Sequence, residues 1–273
     1  IDNFIIGDIK EEGSISKLEK ESADIIINLI SLDHTKSETS PEIVSNYNVL
    51  PSWNILDRFT KIGLEKYINF STFQVYGIIK QPLVTVKDKP NPMNKYALSH
   101  FLSEKIVNYY NSNSSTECIN IRLSNSYGAP IFSTNNCWWL VINDLVKSAY
   151  KSNKLELLSD GSPQRDFINI YDICNAVETI VKNKSESSFN NTLNLASGKT
   201  FTIGEIAKIV QKNFYELYNQ EIPILYIKDK VASISSKKFT IDISGIKDRG
   251  YKPQNDLNKT IKDFFRYFEK RSK

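Results

Sequence analysis

Methionine is almost missing from this chain: Met93 is the only one, and the first residue is Ile1. The sequence is therefore expected to begin inside a longer protein. Cysteine is scarce as well. Cys118, Cys137 and Cys174 are odd in number and far apart, which argues against a disulfide framework or a zinc site and fits a reducing cytoplasm. No segment reaches the ~18 apolar residues of a membrane-spanning helix, and no basic-then-apolar leader opens the chain. An excess of one charge is also lacking. With 35 Lys and Arg against 31 Asp and Glu, the net charge of +4 is small and interleaved, so a nucleic-acid surface is not expected. There is no internal repeat, and the one low-complexity stretch, Asn111–Thr116, reads as a loop.

What is present is ordinary globular material. The hydrophobic fraction is 40% and the charged fraction 24%, and 273 residues can bury one large core or two modest ones. Short apolar runs alternate with helical patterns. Asn3–Ile9 reads as a strand, Ser14–Glu21 as a short helix and Ala23–Ile30 as a buried strand. A long helical stretch runs from Pro41 to about Gly63, which Pro51 should kink or split. Strand Tyr67–Ser71 follows, then a helix from Tyr96 to about Tyr110 and strand Cys118–Ser124. Further on come helices at 138–152, 172–181, 202–218 (capped by Thr202) and 257–271, with strands at 155–158, 192–195 and 222–227. Alternation at this spacing predicts an α/β protein with a parallel, doubly wound sheet.

The stretch Lys66–Glu104 carries the most chemistry. Its strand ends in the hydroxyl pair Ser71 and Thr72, and ligands bind at the carboxyl ends of strands in open α/β sheets. Tyr96 opens the following helix and shares a face with His100, four residues on. A strand-end hydroxyl and a helical tyrosine that converge form a proton-transfer constellation. The competing reading makes Tyr96 a core aromatic and His100 a surface histidine.

These residues resemble the extended short-chain dehydrogenase/reductase superfamily, in its nucleotide-sugar epimerase/dehydratase branch. Its signature is a strand ending Ser-Ser/Thr-x-x-Val-Tyr-Gly, then Tyr-x-x-x-Lys. Ser71 to Gly77 match the first part. Tyr96 to His100 match the second, except that His100 stands where the family has lysine. Arg122 to Pro130 resemble its Arg-x-x-Asn-x-Tyr-Gly-Pro. Gly161 and Arg165-Asp166-Phe167-Ile168 resemble its Gly-x-x-x-Arg-Asp-Phe-Ile, and Ile241–Pro253 its closing motif. The family's Gly-x-x-Gly-x-x-Gly turn is not formed by Gly7 and Gly13 and is expected upstream. The match therefore starts at the family's third strand, and Asn3–Ile9 and Ala23–Ile30 are expected not to be hydrogen-bonded neighbours.

The resemblance implies a Rossmann-type doubly wound parallel sheet, truncated at the N-terminus, with a smaller α/β substrate-binding domain. Residues 1–128 would form the NAD-binding part and 129–273 mainly the substrate part, with parts of 165–195 returning to the Rossmann side. It implies hydride transfer at a sugar carbon with NAD or NADP as cofactor and a nucleotide-diphosphate sugar as substrate. Tyr96 would be the acid/base, Thr72 its hydroxyl partner and His100 the replacement for lysine. Cofactor contacts would come from Asp8, Ile9, Leu29, Ile30, Ser31, Asn48, Ser71, Tyr96, His100 and Leu123. Substrate contacts would come from Thr72, Gln74, Asn125 and Arg165. Gln74 reads equally as a simple polar residue, and Arg165 as a salt-bridge partner of Asp166 or Asp172. Dehydratases carry Asp-Glu after the threonine. Phe73 and Gln74 hold those positions here, which leaves epimerase or reductase chemistry. A free tyrosine ionises near ~10 and is a poor base at neutral pH, and an imidazole replaces a lysine charge only when protonated. Slower chemistry, or activity favoured by protonated His100, is expected; a catalytically weak binding homologue is the alternative. No metal, nucleic acid or membrane is implied. A cytoplasmic homodimer, paired through the long helix and the tyrosine helix, is.

Overall fold

The run KYINFST packs β-branched and aromatic side chains into seven residues and forms the central strand β2 (Lys66–Thr72), in which Tyr67 and Ile68 are fully buried. In the computed structural model, residues 5–11, 13–14, 16–17, 23–132, 134–183, 191–226, 238–254 and 256–271 are described. Strand β2 pairs in parallel with β1 (Ile25–Asn28) on one side and β4 (Glu117–Leu123) on the other. Strand β8 (Thr192–Leu195) completes the order β1-β2-β4-β8. This is the Rossmann-type α/β arrangement the alternation predicts.

The helical stretch after Pro41 is split. Helix α1 (Pro41–Asn48) ends at Val49, and α2 (Leu50–Phe59) begins with Pro51 in its first turn. There the missing N–H costs nothing, because the first donors of a helix have no intrahelical partner. Helix α3 (Lys95–Asn113) carries Tyr96 and packs on α1, α2, β2 and β4. Ile55, Leu56, Phe59, Leu64, Tyr67, Val107 and Cys118 form a buried cluster there. Each large apolar side chain removed from water contributes about 1.5–3 kcal/mol.

The strand expected at Asn3–Ile9 is not formed in its described part: Ile5 to Asp8 have no strand and Ile9 sits in a turn. The Asp8 carboxylate accepts the Lys10 N–H at 3.0 Å, and Glu11 N–H donates to the Asp8 carbonyl at 2.9 Å. This local bonding outcompetes a ladder for which no partner strand stands alongside among the described residues. Gly13, Ser14, Ser16 and Lys17 are helical, and the rest of the helix expected at Ser14–Glu21 lies outside the described residues.

The chain divides into two compact units. The first comprises Ile1–Ile78, Val86–Leu123 and Thr179–Asn194, and the second Ile79–Thr85, Ser124–Glu178 and Leu195–Lys273. In the second, β5 (Asn125–Tyr127), β7 (Gln164–Asn169) and β9 (Thr200–Thr202) form a mixed sheet. Two-residue strands β3 (Leu83–Val84) and β11 (Thr240–Ile241) pair in parallel, as do β6 (Leu155–Leu157) and β10 (Ile224–Tyr226). Helices α4 (Val141–Ser152), α6 (Ile203–Tyr218) and α8 (Leu257–Arg271) pack together around Val146, Val210, Phe214, Ile261, Phe264 and Phe265. Between α4 and α6 in sequence lies α5 (Ile170–Lys182), and a single-turn α7 (Ser244–Lys247) precedes α8. Thr202 caps α6 in a capping box with Glu205.

Candidate active site

Strand β2 runs out at Ser71 and Thr72, both buried, into a 3₁₀ turn, Phe73–Tyr76. Thr72 caps that turn: its Oγ1 accepts the Gln74 N–H at 3.2 Å. The Thr72 hydroxyl also acts on the Tyr96 phenol, whose pKa it lowers. The start of α3 is held by Asn94, whose Oδ1 accepts the Ala97 N–H at 2.7 Å and whose Nδ2 donates to Gln74 Oε1 at 3.1 Å. Gln74 is thus tied to the helix cap that carries the tyrosine. Residues 96, 100 and 104 fall on one stripe of α3, four residues apart, and that stripe faces the strand end.

His100 is buried. One ring nitrogen, Nε2, lies 3.0 Å from Ser31 Oγ, and the rings of His100 and Tyr96 meet edge to face at 4.5 Å. Burial pushes its pKa down to about 4 against the smaller upward effect of the Phe70 carbonyl. At that value the imidazole is neutral at pH 7. Tyr96 moves the other way. Burial raises its pKa, the Thr72 hydroxyl lowers it, and the Asp33 carboxylate raises it further.

The other candidates are spread over both units. Leu29 and Ile30 are exposed at the carboxyl end of β1, and Ser31 follows them. Asn48 is buried with all its hydrogen bonds internal. Its Oδ1 accepts Leu32 N–H at 2.7 Å, and its Nδ2 donates to Ser99 Oγ at 2.9 Å and Ser37 Oγ at 3.3 Å. It braces the loop after β1 against α3, and Ser99 in turn donates to the Tyr96 carbonyl at 2.9 Å. Asp8 is paired with Lys10 at 3.2 Å, and Ile9 packs against the Ile55–Phe59 cluster. Leu123 ends β4, half-buried. Asn125 and Arg165 belong to the second unit. Asn125 donates to the Asp166 carbonyl at 2.9 Å, and the exposed Arg165 donates to the Gln164 carbonyl at 2.9 Å. Asp166 makes no ion pair with Arg165. Its buried carboxylate is taken by Ser124 Oγ at 2.7 Å, Ser197 Oγ at 2.8 Å and the N–H groups of Ser197 and Lys199.

Residues 1–196 match the NAD dependent epimerase/dehydratase family. The chain belongs to that family. It is 32% identical over 185 residues to the UDP-glucose 4-epimerase of Mycoplasma genitalium, covering 62% of this chain and 54% of that protein. Its fold matches a UDP-glucose 4-epimerase from Thermotoga maritima solved with UDP-glucose. There the TM-score is 0.83 and the identity 19%, over 99% of this chain and 85% of that one. It also matches RMD from Pseudomonas aeruginosa complexed with NADPH, at TM-score 0.83 and 19% identity, over 98% of this chain and 88% of that one.

Within this epimerase/dehydratase family member, several residues that shape the site went unread in the sequence. Ser71 Oγ donates to Glu104 Oε1 at 2.6 Å. Arg122 donates to the same carboxylate from Nε at 2.9 Å and from Nη2 at 2.7 Å, and its guanidinium lies over the Tyr76 ring. Two signals existed: an arginine inside the apolar run Cys118–Leu123 needs a buried partner, and Glu104 continues the Tyr96–His100 stripe. Asp33, whose carboxylate raises the Tyr96 pKa, was signalled by no spacing. Among the described residues no group of three or more His, Cys, Asp or Glu is placed to hold a metal, and no helix is long and apolar enough to cross a membrane.

Proposed function

We propose that the protein moves hydride between a carbon of a nucleotide-diphosphate sugar and a nicotinamide dinucleotide, NAD or NADP, as an epimerase-like oxidoreductase. Tyr96 exchanges the proton of the sugar oxygen, and Thr72 orients that oxygen. The observation that carries this reading is the buried Thr72 hydroxyl at the carboxyl end of a central parallel strand, acting on the phenol of Tyr96 in the first turn of α3. A strand-end hydroxyl and a phenol that serve one carbinol or carbonyl oxygen are what general acid–base transfer requires.

The donor set suits a dinucleotide. Exposed Leu29 and Ile30 offer apolar surface next to Ser31 in the chain, and Thr72 and Tyr96 offer hydroxyls. A planar ring with an attached sugar needs that mixture. When bound, the dinucleotide supplies the hydride acceptor and donor. This chain's residues hold the ring edge, exclude water and carry the proton. Ser71 and Glu104 fix the strand end, and His100 fixes Ser31. Asn125 and Arg165 are proposed as diphosphate ligands, the arginine because its planar fork matches phosphate oxygens. Phe73 and Gln74 have no proton to give, so sugar dehydration is not part of the proposal. A homodimer built on α1, α2 and α3 is.

Nicotinamide absorbance with a panel of sugar nucleotides tests this. Turnover by the unmodified protein should fall by about 10²–10⁴-fold in Tyr96→Phe, and by less in Thr72→Ala. Equal turnover in Tyr96→Phe would remove the assignment.

A further inference from the structure

We infer that α3 is held in register by a buried polar seam, and that Asn69 and Ser103, at the middle of that seam, are positioning residues for Tyr96. The role presupposes the hydride transfer proposed above and adds to it the residues that set its geometry.

Parallel sheets are covered by helices on both faces, so their strands ordinarily present apolar side chains. Beneath α2 and α3 this strand row is polar instead. Asn28 stands opposite Asn69 in the β1–β2 ladder, and Asn69 opposite Asn120 in the β2–β4 ladder. Three adjacent strands thus carry asparagine in one row, and all three side chains are buried. The helices answer with small hydroxyls, Ser52 on α2 and Ser103 on α3, both buried as well.

The hydrogens run one way through the row. Ser52 Oγ accepts from Asn28 Nδ2 at 3.0 Å and from the Tyr67 hydroxyl at 3.1 Å. Both of its lone pairs are then taken, so its own hydrogen goes to Ser103 Oγ at 2.8 Å. Ser103 donates in turn to Asn69 Oδ1 at 3.4 Å, and Asn69 Nδ2 to Asn120 Oδ1 at 2.9 Å. Asn120 Nδ2 donates to Asn108 Oδ1, back on α3, at 2.9 Å. One residue beyond Ser103, Glu104 takes Ser71 and Arg122, which stand opposite each other in the β2–β4 ladder.

A seam of this kind fixes what apolar packing leaves free. Burial of apolar surface is non-directional, whereas a buried donor moved off its acceptor loses the bond and is still cut off from water. A slip of α3 by one residue would carry Tyr96 about 1.5 Å along the axis and turn it by about 100°. The same slip would break the bonds at Ser103, Glu104 and Asn108 together. A misplacement of about 1 Å is enough to slow a reaction about a hundredfold.

Replacing Asn69 and Asn120 together by valine separates positioning from stability. Each loses the other as partner, Ser103 keeps Ser52, and Asn108 keeps the Asn191 amide at 2.9 Å, so no buried partner is stranded. The paired variant should therefore melt close to the unmodified protein. Its turnover of uridine, thymidine and guanosine diphosphate sugars, read by nicotinamide absorbance, should fall about 10–100-fold with KM little changed. Amide exchange read by mass spectrometry, with neither dinucleotide nor sugar present, should quicken in the first two turns of α3 and not in β2 or β4. Ser103→Ala breaks the seam at its centre and cannot overfill the site. It should move both readouts in the same sense, and it carries the test alone if the paired variant does not fold. Unchanged turnover in either folded variant, a rise in KM that accounts for the whole loss, or exchange in α3 as slow as before overturns the positioning role and leaves hydride transfer standing. No turnover by the unmodified protein removes hydride transfer and the positioning role with it.

Discussion

A histidine on the strand-facing side of a helix gives up its hydration, and His100 does so without an acidic partner at its ring. The fold holds it neutral down to about pH 4, whereas the unfolded chain takes up a proton below about pH 6.5. The native state thus binds fewer protons between those values. Stability is full above about pH 6.5 and falls as pH drops towards 4, by on the order of 3 kcal/mol in total. Denaturant midpoints of the unmodified protein and of His100→Gln, followed from about pH 7.5 to 4.5, should converge as pH falls, the neutral amide having no proton to gain. Parallel curves would show that His100 titrates alike in both states. The same residue marks the limit of what side-chain spacing conveys. That Tyr96 and His100 share a face follows from a four-residue interval, and Thr72 from its strand end. The charge state of the imidazole depends on Phe70 and Ser31, which approach it only when three segments of chain are packed together.

The turn that joins β2 to the segment before α3 is as demanding as any element in the protein. Gly77 has φ +69°, and a Cβ there would lie 2.2 Å from the Asn91 carbonyl oxygen, while Asn91 N–H donates to the Val75 carbonyl at 2.8 Å. Gly77→Ala meets both a left-handed backbone and an immovable backbone atom, and should cost more than about 2 kcal/mol. Because the turn sets Gln74 and Asn94 in contact, the variant should also lose the Thr72–Tyr96 alignment. Thermal unfolding, read beside turnover, measures both effects. An unchanged midpoint would mean that the two backbones separate at little cost. Elements of this kind were unevenly legible. Pro51 announced the break between α1 and α2, and Thr202 the start of α6, because caps and prolines act through their immediate neighbours. The two-residue strands β3 and β11 have no periodicity to read: they exist because Leu83 and Val84 meet Thr240 and Ile241 across more than half the sequence. The apolar run at Ile5 and Ile6 misled for the complementary reason, since it has strand composition but no ladder partner among the described residues.

At the scale of the whole molecule, the exposed surface of α1, α2 and α3 makes the strongest demand. These helices pack on one another and carry Ile43, Leu50, Trp53, Leu98, Leu102 and Tyr109 to the outside, with Trp53 52% and Tyr109 61% exposed. Leu98, Leu102 and Tyr109 recur at four and seven residues, so they line one side of α3, opposite in role to the buried stripe of Ser99, His100, Ser103 and Glu104. A soluble monomer seldom leaves so many large apolar groups on adjacent helices. A second copy presenting the same face would cover them about a two-fold axis, each helix meeting its own counterpart. Sedimentation should therefore give a dimer at micromolar concentration. Leu102→Glu, which sets like charges against each other across the axis, should give a monomer with an unaltered circular dichroism spectrum, because the substituted side chain is exposed. An unmodified protein that sediments as a monomer at every concentration would leave this face to another occupant.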